Sequence, residues 1–230
     1  MFYITGDTHG NFFPLYDKLE AMPLPAGGGC IILGDAGFNY HGGEEDRWNK
    51  QLMNSLGVTL FCIHGNHEQR PASTGLYELQ PRFGGMAWVE PEFPNLVFAR
   101  DGEVYDLDHR SVLVIGGAYS VDKHYRLIHG YPWWADEQPD EATRQRVEAA
   151  LAERDWRVDF ILSHTCPARY IPTEALLPGL NQNCVDRSTE TWLDTIEART
   201  LYRRWYCGHW HINKRVDRMY FLYHDVRPLG

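Results

Sequence analysis

The sequence predicts an α/β protein in which two β-sheets pack face to face with helices on their outer sides. Over the first 63 residues, short apolar segments alternate with helical segments, as in a parallel sheet covered by helices. Further short extended segments, separated by turn residues, follow in the middle of the chain. These segments indicate a second and more antiparallel sheet.

The first half of the prediction is a βαβαβ unit. Segments 2–5, 30–33 and 58–63 are short and apolar and are predicted as buried strands, whereas 13–22 and 44–56 have helical periodicity. Each predicted strand ends just before a Gly or a His. Because the carboxyl ends of parallel strands meet at one edge of a sheet, we expect a binding site at that edge.

The middle of the chain contributes the strands of the second sheet. Three segments are predicted as extended: 96–99, 103–107 and 111–115. Asp101-Gly102 lies between the first two and is a strong hairpin signal. The prediction therefore places all three strands together in the second sheet.

The last part of the chain is predicted to add two helices, two strands and a closing hairpin. The helices are 141–154 and 189–199, the strands are 160–163 and 205–207, and the hairpin spans 214–226 with a turn near Asp217-Arg218. No internal repeat or linker interrupts the sequence, so residues 1–230 are predicted to form a single domain.

Composition limits the partners and the compartment. The formal net charge of −9 disfavours extended nucleic-acid binding and attraction to an anionic membrane, although two bound divalent cations would still attract a phosphate. Five cysteines at irregular spacing do not form a disulfide framework. The N-terminus lacks the features of a signal peptide, and no segment approaches the roughly 20 apolar residues of a membrane span. We therefore expect a soluble, cytoplasmic protein.

Six short segments carry metal-binding residue types, most of them beside a glycine. They are Gly6-Asp7-Thr8-His9, Gly34-Asp35, Gly65-Asn66-His67-Glu68, His164, Gly208-His209 and His211. Each is common when taken alone, since Gly-Asp after a strand is ordinary turn chemistry, but their shared position after apolar strands favours one joint site. Asp35 is the natural bridging carboxylate between two cations. Nitrogen and oxygen donors without a thiolate suit Mn²⁺ and also Fe, Zn²⁺, Co²⁺ or Ni²⁺.

Two divalent cations in one site predict a reaction. A metal pair roughly 3.5–4 Å apart activates water and clamps a phosphoryl group during in-line displacement. The expected reaction is therefore phosphoester hydrolysis, in which a hydroxide bridging the two cations attacks phosphorus.

The ordered motifs resemble those of the calcineurin-like metallophosphoesterase superfamily. The resemblance rests on Gly-Asp-Thr-His-Gly from Gly6, Gly-Asp-Ala from Gly34, Gly-Asn-His-Glu from Gly65, His164, and Gly-His-Trp-His from Gly208. It extends from residue 6 to residue 211. It implies a two-sheet α/β sandwich (αββα) with a dinuclear metal site in loops at the carboxyl ends of strands.

The resemblance also implies a role for each residue of the site. One metal is bound by Asp7, His9, Asp35 and His211, and the other by Asp35, Asn66, His164 and His209, so that Asp35 bridges the pair. His67 is implied as the general acid or electrostatic stabiliser at the leaving group. Glu68 is expected to orient a metal ligand or His67.

One subfamily is disfavoured by two positions. Protein serine/threonine phosphatases usually carry an Asp three residues after the bridging Asp and an Arg four residues after it, but this chain has Phe38 and Asn39 there. The candidate substrate-binding residues are therefore Asn39, Arg70, Lys123 and Arg126, although the charged ones are also explained by surface ion pairs. The aromatic residues at 125, 131, 133 and 134 either stack on a nucleobase or pack a loop.

The favoured substrate is a small or nucleotide-like phosphomonoester or phosphodiester. The alternatives are a protein serine/threonine phosphatase, a nuclease or RNA-processing phosphodiesterase, and a catalytically silent binding scaffold. The scaffold is the weakest alternative, because no expected metal ligand is missing and His67 is present.

Overall fold

The computed structural model describes residues 1–25 and 27–230. Its strands are β1 Phe2–Thr5, β2 Gly29–Ile32, β3 Thr59–Cys62, β4 Glu78–Arg82, β5 Gly85–Val89, β6 Leu96–Ala99, β7 Val104–Leu107, β8 Arg110–Ile115, β9 Phe160–Ser163, β10 Arg204–Cys207, β11 Lys214–Val216, β12 Met219–Phe221 and β13 Arg227–Pro228. Its α-helices are α1 Phe13–Ala21, α2 Gly43–Asn54, α3 Pro71–Thr74, α4 Lys123–His129, α5 Glu141–Ala152 and α6 Ser188–Arg199. Short 3-10 turns at Ala168–Tyr170, Thr173–Ala175 and Gln182–Cys184 lie between β9 and α6.

Two mixed sheets form the centre of the molecule. The first has seven strands in the order β13-β1-β2-β3-β6-β5-β4, and β1, β2, β3 and β6 run parallel. The second has six strands in the order β11-β12-β10-β9-β8-β7, and β8, β9, β10 and β12 run parallel. The predicted α/β sandwich of two sheets is confirmed. The second sheet is not the more antiparallel one, because antiparallel pairs in it are confined to its two edges.

The predicted hairpin at Asp101-Gly102 is wrong. β6 pairs with β3 in the first sheet, and β7 begins the second sheet, so Asp101-Gly102 connects the sheets. The reason is tertiary, because the Asp101 carboxylate accepts hydrogen bonds from the backbone N–H of Gly116 at 2.6 Å and from Arg70 at 2.6 Å. The hairpin lies one turn later, between β7 and β8, where Leu107 pairs with Arg110.

Most predicted elements agree with the structure to within two residues at each end, including the βαβαβ unit and the turn at Asp217-Arg218 between β11 and β12. The prediction missed the β4–β5 hairpin, which turns at Phe83-Gly84, and helices α3 and α4. The strand β4 is polar and mostly exposed or half-buried, so it has none of the continuous apolar pattern of the central strands.

The core explains why the central strands are continuously apolar. Alternate side chains of β8 face opposite sides: Val112 and Val114 join the core between the sheets, whereas Leu113 and Ile115 pack with residues of α5 and α6. A strand buried on both faces must be apolar at every position. No helix in the described part of the chain is long and apolar enough to cross a membrane.

Candidate metal centre

The proposed metal ligands all follow the carboxyl ends of parallel strands, from both sheets. Asp7 and His9 follow β1, Asp35 follows β2, Asn66 follows β3, His164 follows β9, and His209 and His211 follow β10. Because these strands are parallel within each sheet, their ends meet at one edge of the sandwich. The topology therefore brings together residues that are up to 204 positions apart in the chain (7 to 211).

Asp7, His9 and His211 form the first group of converging donor atoms. The Nε2 atoms of His9 and His211 lie 2.9 Å apart, and the Nε2 atom of His211 lies 3.2 Å from an Asp7 carboxylate oxygen. The Nε2 atom of His9 lies 3.8 Å from the same oxygen. One ligand atom from each of these residues lies within 4.8 Å of the others, a spacing that can hold a metal ion.

The second group is centred on His164. Its Nε2 atom lies 2.8 Å from the Asn66 side-chain oxygen and 3.4 Å from the Asp35 Oδ2 atom, and the His164 and His209 rings lie 5.0 Å apart. The same Asp35 oxygen lies 3.9 Å from the Nε2 atom of His9 in the first group. The Asp35 carboxylate therefore lies within 4 Å of donor atoms in both groups, and Asp7 also lies close enough to Asp35 and His164 to share a metal ion with them.

Burial makes the two carboxylates suitable for cations. Asp7 and Asp35 are only 1% and 2% exposed, and within the described residues their ion-pair partners are histidines, with no Lys or Arg. A buried carboxylate needs a compensating positive charge. Burial alone would raise the pKa of Asp35, but His164, His67 and His9 hold it well below its ordinary value. The donor set therefore fits divalent cations.

Hydrogen bonds behind the ligands fix the direction of their donor atoms. His164 donates from Nδ1 to the Leu33 carbonyl at 2.8 Å, which leaves Nε2 facing the centre. The Asn66 amide nitrogen donates to the Ser120 hydroxyl at 3.0 Å, which leaves its oxygen facing the centre. The backbone N–H of His209 donates to the Asp7 carboxylate at 2.9 Å. Both sheets therefore help to orient the same ligands.

Two glycines permit the close approach of the loops. A Cβ atom on Gly65 would lie 1.9 Å from an Asp35 carboxylate oxygen, and one on Gly208 would lie 2.2 Å from an Asp7 carboxylate oxygen. The glycines next to the motifs are therefore needed because a ligand from another loop lies where a side chain would be.

Four proposed ligands also have an unusual backbone conformation. His9, Asp35, His209 and His211 have positive φ angles, from 47° to 63°. Non-glycine residues rarely adopt this left-handed region, and such strain is concentrated at functional sites. Sequence patterns could not reveal this feature, because none of the four residues is a glycine.

His67 lines the cavity, whereas its neighbour Glu68 is buried between two loops. His67 lies at the wall of the cavity, with its Nε2 atom 3.7 Å from an Asp122 carboxylate oxygen and its ring centroid 5.3 Å from that of His9. Glu68 is buried and accepts hydrogen bonds from the backbone N–H groups of Gly65 at 3.1 Å and Gly37 at 3.3 Å. Burial raises the pKa of Glu68 to about 8. Glu68 thus joins the loops that carry Asn66 and Asp35.

None of the four candidate substrate-binding residues is among the described residues that line the cavity. The Asn39 side-chain oxygen accepts from the Tyr77 hydroxyl at 2.9 Å, and Arg70 donates to Asp101 at 2.6 Å. The Lys123 ammonium lies 3.9 Å from the centre of the Trp133 ring. Arg126 is buried and donates to the Ser120 hydroxyl at 3.2 Å, and Ser120 in turn binds Asn66. These contacts favour supporting roles over direct phosphate contact.

The four aromatic residues at 125, 131, 133 and 134, in α4 and just after it, divide into two pairs. Trp133 donates from its indole N–H to Glu137 at 2.7 Å, and the Trp134 ring lies 5.8 Å from the Arg126 guanidinium, so both pack the loop. Tyr125 and Tyr131 are half exposed, and their ring centroids lie 6.1 Å apart outside the cavity wall.

The cavity at the centre has a volume of about 340 Å³ and is completed by residues that the motifs did not indicate. Asp122 lies just before α4, and several apolar side chains come from residues 171–185. This segment has only 3-10 turns and no metal-binding residue type with a recognisable spacing. The available signal was its cluster of Ile, Leu and Val among polar residues.

Comparison with known proteins identifies the class. The family model for calcineurin-like phosphoesterase matches residues 1–213, so the chain belongs to this family of metal-dependent hydrolases that act on phosphoester bonds. No curated protein matches the chain. Among solved structures, TT1561 of Thermus thermophilus is similar, with a TM-score of 0.52, 13% identity, and coverage of 96% of this chain and 87% of that one. This likeness concerns the fold.

Proposed function

We propose that this protein hydrolyses a phosphomonoester or phosphodiester of a small molecule at a dinuclear centre. The ligands would be Asp7, His9, Asp35 and His211 for one cation, and Asp35, Asn66, His164 and His209 for the other. The observation that carries this proposal is the position of Asp35, whose Oδ2 atom lies 3.9 Å from His9 Nε2 and 3.4 Å from His164 Nε2. When bound, the cations supply an activated water and positive charge for the phosphoryl oxygens. Manganese is the expected metal.

His67 is proposed to assist departure of the alcohol. It lines the same cavity as Asp35 and Asn66, so its imidazole can donate a proton or a hydrogen bond to the leaving oxygen. Burial lowers the pKa of His67 below its ordinary value, and the carboxylates of Asp35 and Asp122 oppose this shift. Asp122, with a carboxylate oxygen 3.7 Å from the Nε2 atom of His67, would take from another loop the place of the carboxylate that protein phosphatases usually carry where this chain has Phe38.

Arg126 and Ser120 are proposed to hold Asn66 in place. The Arg126 guanidinium donates to the Ser120 hydroxyl at 3.2 Å and lies 3.5 Å from the Asn66 carbonyl oxygen. Ser120 accepts from the Asn66 amide nitrogen at 3.0 Å. An amide fixed in this way presents its oxygen as a metal donor without needing to reorganise.

A direct assay tests this function. Metal-depleted protein is supplied with Mn²⁺, Fe²⁺, Zn²⁺, Co²⁺ or Ni²⁺ and given 4-nitrophenyl phosphate and bis(4-nitrophenyl) phosphate. We expect at least one substrate to be hydrolysed, and a chelator to abolish the activity. Absence of hydrolysis of both substrates, with every metal and across several pH values, would contradict the proposal. The ratio of the two activities separates monoesterase from diesterase.

A further inference from the structure

The cavity at the metal centre has an apolar half. One part of its lining consists of Ile171, Leu176, Leu177, Leu180, Val185 and Trp210, which we call the apolar wall. Five of these six come from residues 171–185, the segment between β9 and α6. Since Leu176 and Leu180 are half-buried and Leu177 is exposed, the wall presents aliphatic surface that the fold itself does not bury.

The apolar wall and the catalytic groups belong to one cavity. Asp35, Asn66 and His67 line it together with the wall. A phosphoester whose phosphorus lies among the metal ligands therefore has its alcohol part within reach of the wall. A volume of about 340 Å³ is at the lower end for small-molecule sites, which are on the order of 300–1,000 Å³. It leaves space for a phosphoryl group and one ring-sized substituent.

The charged residues of the cavity offer little attraction to a second anionic group on the substrate. Away from the proposed metal ligands, the described lining has the guanidinium of Arg187 and the carboxylate of Asp122, while burial raises the pKa of the Glu190 carboxyl group. The Arg187 guanidinium also donates to the Gln182 side-chain oxygen at 2.8 Å. Polyphosphates and acidic alcohols would therefore gain little from this lining, since the charge of Asp122 offsets that of Arg187.

We propose that the substrate is a phosphoester whose alcohol part is uncharged, largely apolar and about the size of one substituted ring. This inference rests on the proposed function and adds the substrate class. Burying the alcohol against the apolar wall contributes binding energy that a polar sugar or a phosphoserine side chain cannot supply. The wall, and Leu176 and Leu180 within it, would determine specificity without touching the reacting atoms.

A series of aryl phosphates tests the proposal. Phenyl, 4-ethylphenyl and 4-butylphenyl phosphate have nearly equal leaving-group acidity, so differences in kcat/KM report contact with the alkyl chain. The methyl diesters of the same phenols serve if the enzyme is a diesterase. We expect kcat/KM to rise along the series by up to about fourfold per buried methylene.

Variants connect this preference to the apolar wall. Leu180→Asn is expected to lower the ratio of kcat/KM for 4-butylphenyl phosphate to kcat/KM for phenyl phosphate by about tenfold, while phenyl phosphate is still hydrolysed. Leu176→Asn provides a second test if the first variant does not fold. Leu201→Asn is the control, because Leu201 is exposed and lies outside this cavity. The Leu201→Asn variant should keep the same rise of kcat/KM with alkyl chain length as the unmodified protein.

The outcomes separate this proposal from the function on which it rests. Hydrolysis of phenyl phosphate with no dependence on chain length in the unmodified protein would overturn the apolar substrate class and leave phosphoester hydrolysis intact. A higher kcat/KM for a phosphoserine peptide or for glycerol phosphate would also overturn it. If none of these esters is hydrolysed with any metal, both proposals fail.

Discussion

The imidazole of His67 can be tested separately from the metal ligands, because it lines the cavity and is not needed for either group of converging donors. We predict that His67→Ala lowers kcat by about 10²–10⁴-fold, the usual contribution of a general acid, and leaves the metal content unchanged. His124→Ala is the control, since His124 is exposed outside the cavity. Loss of metal in parallel with activity would show that His67 is a ligand instead.

The buried carboxyl group of Glu190 should make the stability of the protein depend on pH. Burial raises its pKa, and its exposed fraction is 4%. Between the ordinary pKa and the raised one, the folded protein keeps a proton that the unfolded chain has lost, so this group's contribution to stability falls as pH rises. Glu190→Gln should therefore stabilise the metal-depleted protein at neutral pH, because the amide cannot ionise.

Chemical denaturation at several pH values checks this prediction. The advantage of Glu190→Gln over the unmodified protein should disappear below the ordinary carboxyl pKa of about 4.3, where Glu is protonated in both states. Glu153→Gln, on the surface, should show no such dependence. An advantage that is constant at all pH values would contradict the assignment to ionisation of Glu190.

At the scale of elements, Arg70 and Asp101 join the loop after β3 to the crossing between the sheets. Asp101 is buried, and it binds Arg70 and the backbone of Gly116 after β8. We predict that Arg70→Met lowers the free energy of unfolding by on the order of 3 kcal/mol, because the buried carboxylate loses its charged partner. KM for a phosphoester should change little.

An exposed ion pair provides the control for this prediction. Arg47 and Glu92 interact at the surface, with about half of each side chain exposed, so Arg47→Met should cost less than about 1 kcal/mol. Denaturant titration and steady-state kinetics measure the two quantities. A large rise in KM with unchanged stability would show that Arg70 binds the phosphate, as its position in the sequence suggested.

The elements that the sequence predicted best are those with a simple burial pattern. The strands β1, β2 and β3 are apolar because helices and the second sheet cover both of their faces, and each precedes a ligand motif. The β4–β5 hairpin was missed because its first strand is half solvated. The turn at Asp101-Gly102 was misplaced because its partners, Arg70 and Gly116, are distant in the chain.

Prediction of the site was limited in the same way, by contacts between residues that are distant in the chain. The sequence could propose metal ligands because carboxylate, amide and imidazole donors occur in a recognisable order after strands, and the structure brings these residues close together. The position of Asp122 beside His67, and of residues 171–185 at the cavity, depends on how loops fold across the edge of the sandwich. Such contacts between loops have no periodicity in the sequence. That residues 1–230 form a single domain stays a prediction.

At the scale of the whole molecule, the two sheets contribute the proposed ligands of one centre, with Asp7, His9, Asp35 and Asn66 from the first and His164, His209 and His211 from the second. Bound cations should therefore hold the sheets together. Because a ligand that binds only the folded state stabilises it, we predict that Mn²⁺ at about 100 times its Kd raises the free energy of unfolding by about 2.7 kcal/mol per independent site. A chelator should reverse this gain, and an unchanged unfolding midpoint would contradict it.

Calorimetric titration of metal-depleted protein with Mn²⁺ tests the dinuclear centre most directly. We expect about two cations per chain for the unmodified protein and for Asp106→Asn, whose Asp is exposed on β7. We expect loss of high-affinity binding at both positions for Asp35→Asn, since one carboxylate would serve both cations. Two cations bound with unchanged affinity by Asp35→Asn, or at most one bound by the unmodified protein, would contradict this expectation.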